Sequence, residues 1–169
     1  MRYQRWLGFG GSFTESAAWT LSHLSEDAQD AVLRSYFHPT EGHGYRLART
    51  HINSCDFSLE NWACAEVPGD LALEHFSLAR THRYITPMIR RAMAVEGAAF
   101  DLMASPWSPP AWMKTNGEMN HGGGLRPEHR DAWALHYVRW IQGMAEAGVA
   151  TWGISIQNEP EAVQVLSLI

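Results

Sequence analysis

The sequence predicts an α/β fold, a partial (β/α)8 TIM barrel holding about the first four β/α units. Three observations carry this. Short apolar runs alternate four times with stretches of helical periodicity, which is the pattern of a parallel sheet covered by helices. The apolar runs end in unusually polar residues, and reactive groups of such barrels sit at the C-terminal ends of strands. Gly8, Gly10 and Gly11 lack the GxGxxG spacing, so the alternative closure, a doubly wound dinucleotide-binding sheet, is the poorer fit. Eight units take about 250 residues. The 169 residues supply four units without an internal repeat, so residues 1–169 read as the truncated N-terminal half of a barrel domain.

The first strand is expected over residues 7–13. A helix follows from the N-cap Ser25, with Glu26 and Asp27 in its first turn and Ala28, Val32 and Tyr36 as its apolar stripe. Residues 39–44 break it. The second strand spans residues 45–52. Residues 56–82 form a connection long enough to be functional or to carry short structure of its own. The next helix shows Ile85, Met88, Ile89, Ala92 and Met93 at helical spacing, with Pro87 in its first turn and Gly97 as its stop. The third strand spans residues 99–104, because Ser105-Pro106-Trp107-Ser108-Pro109-Pro110 is unsuited to a central strand. Gly122-Gly123-Gly124 is a flexible loop. A helix from about residue 129 to 147 carries Ala134, Tyr137, Val138, Ile141, Met144 and Ala145 on one face and stops at Gly148. The fourth strand spans residues 151–157.

Composition narrows the function classes. The net charge of −5 argues against a nucleic-acid partner, which leaves a basic footprint. No stretch of about 18 apolar residues occurs, so no transmembrane segment is expected. The N-terminus has no signal-peptide h-region. As written the chain reads as cytoplasmic, or as secreted if its N-terminus is incomplete. Cys55 and Cys64 are expected as buried thiols, with a disulfide the lesser alternative. The nine histidines are scattered without HExxH or paired His/Cys spacing, so no metal is expected. No Ser sits in a GxSxG elbow. Eight tryptophans are many for this length. Most are expected in the core, and the rest suit stacking on sugar faces.

The strand ends supply the candidate chemistry: Thr14 and Glu15; Arg49, Asn53, Ser54 and Asp56; Ser105, Trp107 and Ser108; Gln157, Asn158 and Glu159. Amides and carboxylates suit sugar hydroxyls, and a Trp suits the ring. Glycoside hydrolysis needs one carboxyl to protonate the leaving oxygen and a second opposite it. Glu159, preceded by Asn158, fits the acid role or is an ordinary solvated Glu. Asp56 is a hydroxyl acceptor or a turn residue. Arg49, within an apolar strand, needs a partner. A catalytic carboxylate or a purely structural ion pair would serve. Trp107 lies in an irregular loop, away from core positions. Trp112 lines the same cleft or packs the loop.

Four ordered motifs resemble glycoside hydrolase family 30, the glucosylceramidase-like enzymes. They are Gly8-Phe9-Gly10-Gly11-Ser12-Phe13-Thr14-Glu15-Ser16-Ala17-Ala18, Ser54-Cys55-Asp56-Phe57-Ser58, the stretch from Ala104 to Gly117 that opens Ala104-Ser105-Pro106-Trp107-Ser108-Pro109-Pro110, and Gln157-Asn158-Glu159-Pro160. The resemblance implies a retaining β-glycosidase with Glu159 as acid/base and Asn158 on the sugar 2-hydroxyl. It implies Asp56 and Trp107 at the sugar site and Arg49 beside the catalytic carboxylates. No cofactor is implied, and the substrate is a β-glucoside or a glucosylceramide-like lipid. The family's nucleophilic Glu and small β-domain have no counterpart in these residues. Val165-Leu166-Ser167-Leu168-Ile169 departs from the family and reads as a truncated or frameshifted tail. The expectation is therefore an inactive fragment, or a sugar-binding half-barrel, that self-associates through exposed barrel edges.

Overall fold

The computed structural model describes residues 3–162. The tail at residues 165–169 lies outside the described residues. Four parallel strands form one sheet in the order β1 (Gly10–Phe13), β2 (Leu47–Ile52), β3 (Asp101–Pro106), β4 (Gly153–Ile154). Five helices lie between them: α1 (Glu15–Ser22), α2 (Glu26–Phe37), α3 (Ala79–Arg83), α4 (Ile85–Met93) and α5 (Arg130–Glu146). The four expected strands are present, and among the described residues helices follow the first three of them. Among the described residues no helix is long and apolar enough to cross a membrane.

Register is set in the middle of the sheet, where Arg49 stands opposite Ser12 on one side and Met103 on the other. β1 starts later than expected. Gly10 approaches β2 so closely that a Cβ there would meet the Leu47 carbonyl oxygen, so only glycine fits. β3 runs further than expected, through Ser105 to Pro106 opposite Ile52. Proline is tolerated because it takes the last position, where its missing N–H ends the ladder, while its carbonyl accepts Asn158 N–H at 2.8 Å. β4 is shorter than residues 151–157. After Ser155 N–H bonds Ala104 O, the next ladder bond to β3 comes from Asn158, so the chain bends towards the strand ends.

The helices cover one face. Thr14 caps α1 by accepting from Ala17 N–H. This helix has too weak an apolar stripe to be expected from the sequence, and only Ala18 and Leu21 of its apolar residues are buried. Ser25 caps α2 as expected. α2 buries Leu33 and Phe37 where Tyr36 was expected inside; Tyr36 is exposed. α4 buries Ile85, Ile89 and Ala92 as expected and leaves Met93 exposed. The α5 face is also turned. Ala132, Trp133, His136, Trp140 and Met144 are buried, and the expected Val138 is exposed. Two indoles outweigh the smaller aliphatics in deciding which stripe faces inward.

The main core joins Phe13, Ala48, Ile52, Leu102 and Ala104 of the sheet to Leu33, Phe37, Ile89, Trp140 and Met144 of the helices. A smaller cluster under the loops holds Ala65, Leu73, Met113, Ala132 and Trp133. Trp62, Trp133 and Trp140 are core residues, whereas Trp6, Trp19 and Trp152 are exposed. Most tryptophans are thus outside the core, contrary to expectation. Trp112 packs the loop and donates its indole N–H to Ala65 O. Cys55 and Cys64 are buried free thiols, with burial pushing them to about 11 and about 12.

Candidate active site

Side chains alternate along a strand. Ala48 and Ile52 of β2, Leu102 and Ala104 of β3 face the helices. Arg49 and His51, Met103 and Ser105 therefore share the opposite face. Polarity in this fold collects on that face and at the strand ends above it.

All five residues singled out in the sequence meet there. Arg49, Asp56, Trp107, Asn158 and Glu159 line one cavity of about 460 Å³. Arg49 donates from Nε to Ser105 Oγ at 3.0 Å and from Nη2 to Asn158 Oδ1 at 2.7 Å. Its guanidinium lies over the Trp107 ring, 4.6 Å from the centroid. The hydrogen bonds that orient Arg49 thus end on neutral oxygens, where a carboxylate was expected. The Asp56 Oδ1 acceptor and the Trp107 Nε1 donor are both buried without a hydrogen-bond partner among the described residues. An unpaired acceptor and donor in one cleft is a costly arrangement that a hydroxylated ligand relieves.

Trp107, Asn158 and Glu159 also line a second cavity of about 330 Å³. Its other walls include Trp133, the glycine loop at residues 122–124 and Lys114. Burial lowers the Lys114 ammonium, which donates to Met119 O at 3.0 Å. Glu159 therefore stands between two spaces. Its backbone is left-handed, with φ of 41°, which is strained for a non-glycine residue and is held immediately before Pro160. Gln157 supports this turn by donating to Trp107 O and Asn158 O.

Beneath the cleft lies a buried polar layer. Asn53, left-handed at φ 61°, donates to Ser108 O and accepts Cys64 N–H and His136 on its side-chain oxygen. His51 accepts Glu15 N–H at Nε2, so its proton sits on Nδ1 and is given to Asn53 O. Burial lowers the His51 imidazole and keeps it neutral, against the opposing pull of the Asn53 carbonyl, Glu15 and Asp56. Its ring meets the edge of Trp107.

Several strand-end candidates prove to be structural. Glu15 is fully buried away from the cleft, ion-paired with Arg80 at 2.7 Å. Thr14 lines the cleft but caps α1. Asn53, Ser54 and Ser108 are buried. His51 was missed. Its signal was its place two residues after Arg49, hence on the same strand face. Among the described residues no group of three or more His, Cys, Asp or Glu could hold a metal.

Comparison with known proteins matches residues 6–166 to the glycosyl hydrolase family 30 TIM-barrel domain. The lysosomal acid glucosylceramidase of Mus musculus is 36% identical over 166 residues, covering 95% of this chain and 32% of that protein. Putative glucosylceramidase 3 of Caenorhabditis elegans is 37% identical over 162 residues, covering 94% of this chain and 31% of that protein. The crystal structure of SrfJ from Salmonella typhimurium superposes with a TM-score of 0.90 at 42% identity, covering 95% of this chain and 36% of that one. The endo-β1,6-glucanase BT3312 follows at 0.85 and 28%, covering 95% of this chain and 36% of that one. The chain spans about one third of the length of the curated relatives it matches.

Proposed function

The chain belongs to glycosyl hydrolase family 30, and we propose that the protein bearing it is a retaining β-glycosidase acting on β-glucosidic bonds of glucosylceramide or related β-glucosides. The observation that carries this reading is the cleft of Arg49, Asp56, Trp107, Asn158 and Glu159, with its unpaired acceptor and donor. Glu159 borders both cavities, so a glycosidic oxygen beside it has room for a sugar on one side and a leaving group on the other. In the first step Glu159 gives its proton to that oxygen as a second carboxylate attacks the anomeric carbon. In the second it takes a proton from the water that releases the sugar. Asp56 and the Trp107 indole bind sugar hydroxyls and ring. Relatives named glucosylceramidases and an endo-β1,6-glucanase support the β-glucosidic linkage as the target.

The nucleophile must lie about 5–5.5 Å from the acid/base. Among the described residues Asp56 is the other carboxylate of the cleft, and this reading uses it on the sugar. A second reading, a non-catalytic sugar-binding module, rests on the same cleft, because Arg49, Asp56 and Trp107 could hold a sugar without turnover. Hydrolysis of a chromogenic β-glucoside by the purified chain, beside Glu159→Gln, separates the two. Turnover that falls at least 100-fold in the variant supports the glycosidase. A folded protein with no turnover, binding glucose through Asp56 and Trp107, supports the sugar-binding module.

A further inference from the structure

A pair of serines beneath the cleft has no part in the chemistry above. Ser155 donates its hydroxyl to Ser105 Oγ at 2.7 Å, and Arg49 Nε donates to the same oxygen at 3.0 Å. Ser105 is fully buried. Two donors fill both lone pairs of one hydroxyl oxygen, which fixes its rotamer and the guanidinium it holds. Trp107 stacks on that guanidinium and leaves it little freedom to rotate.

This decides the polarity of Asn158. A guanidinium carries donors and no acceptor, so Asn158 meets Arg49 only through its oxygen, at 2.7 Å. The other end of the carboxamide then offers two N–H groups. The backbone beneath it is held as well, since Asn158 N–H donates to Pro106 O and its carbonyl accepts from Gln157. We propose that Ser105 and Ser155 are positioning residues whose hydroxyl pair fixes Arg49, so that Asn158 presents amide N–H donors to the sugar hydroxyl beside the scissile bond. The inference rests on the β-glucosidase reading, in which that hydroxyl is the 2-hydroxyl.

The test compares wild type, Ser155→Ala and Ser155→Thr on an aryl β-glucoside and on its 2-deoxy counterpart. Contacts to the 2-hydroxyl strengthen in the transition state. Loss of one positioned hydrogen bond should lower kcat on the β-glucoside roughly tenfold with KM little changed. The 2-deoxy substrate should change less than about twofold, because the contact is already gone. Ser155→Thr should restore kcat. Equal losses on both substrates would overturn the proposal. Absence of hydrolysis of either substrate by wild type would count against the glucosidase reading alone. The serine pair is then judged by nitrogen-15 NMR of the Arg49 Nε–H in the same chain. A slowly exchanging signal lost in Ser155→Ala and regained in Ser155→Thr supports it. A signal unchanged in Ser155→Ala, or missing from wild type, overturns it.

Discussion

Arg80→Met should destabilise the fold by about 3 kcal/mol at pH 7.5, and the loss should shrink in acid. The Glu15 side chain is 0% exposed. Its Oε1 receives Arg80 Nε at 2.7 Å, while Oε2 receives Leu59 N–H and the Trp62 indole N–H at 3.0 Å each. Burial alone would push the Glu15 carboxyl up. Arg80 and the two N–H donors reverse that and hold it below its usual range. Removing one partner of a buried pair costs roughly 3–5 kcal/mol, and the two surviving donors place this case at the lower end. In wild type, Glu15 has a folded pKa below the unfolded one. Its contribution is present above the unfolded value and lost as pH falls through the folded value. In the variant only the Leu59 and Trp62 N–H groups oppose desolvation, so that depression shrinks. The variant therefore loses less than wild type as Glu15 protonates, and the deficit narrows as pH falls from 7.5 towards about 3.5. Urea unfolding followed by Trp fluorescence reads this directly. With a slope of about 2 kcal/mol per molar, the midpoint should fall by about 1.5 M at pH 7.5. A loss below about 1 kcal/mol, or one identical at both pH values, would show that Glu15 is not held ionised by Arg80. The pair also bears on the cleft, since Glu15 N–H supports His51 below Trp107.

Two further predictions concern the layer under the cleft. Asn53→Gly keeps the left-handed backbone but loses three side-chain hydrogen bonds, and should cost about 3 kcal/mol. Asn53→Ala should cost a further 1–2 kcal/mol or so, from the Cβ in that conformation; equal midpoints for the two variants in urea would remove strain from the account. Burial lowers His136 to about 3. The unfolded chain then binds the proton first as pH falls below about 6.5, so stability drops through the window from there towards 3. His136→Gln should flatten that profile by roughly 2–3 kcal/mol between pH 7 and 4.5, measured as denaturant midpoints, and parallel profiles would refute it.

The family, the β/α alternation and the five cleft residues were all legible in the sequence. Glycines, helix caps and apolar runs act over a few residues, so local pattern reveals them. The bounds of elements were less legible where a neighbour decides them. Pro106 continues β3 because Ile52 stands opposite and Asn158 takes its carbonyl. The inward face of α5 is set by Trp133, Trp140 and the bond of His136 to Asn53, 83 residues away in sequence. Pairings across such distances have no local signature. Sequence placed Glu15 with the reactive strand ends, because residue type and position looked right. Only the tertiary structure brings Arg80, Leu59 and Trp62 around it and makes it a buried structural anion. Arg49 shows the same division. Its cost inside an apolar strand demanded a partner, which sequence reveals from charge alone. The hydrogen bonds Arg49 makes among the described residues, to the Ser105 hydroxyl and the Asn158 oxygen, come from the close approach of β2, β3 and the end of β4.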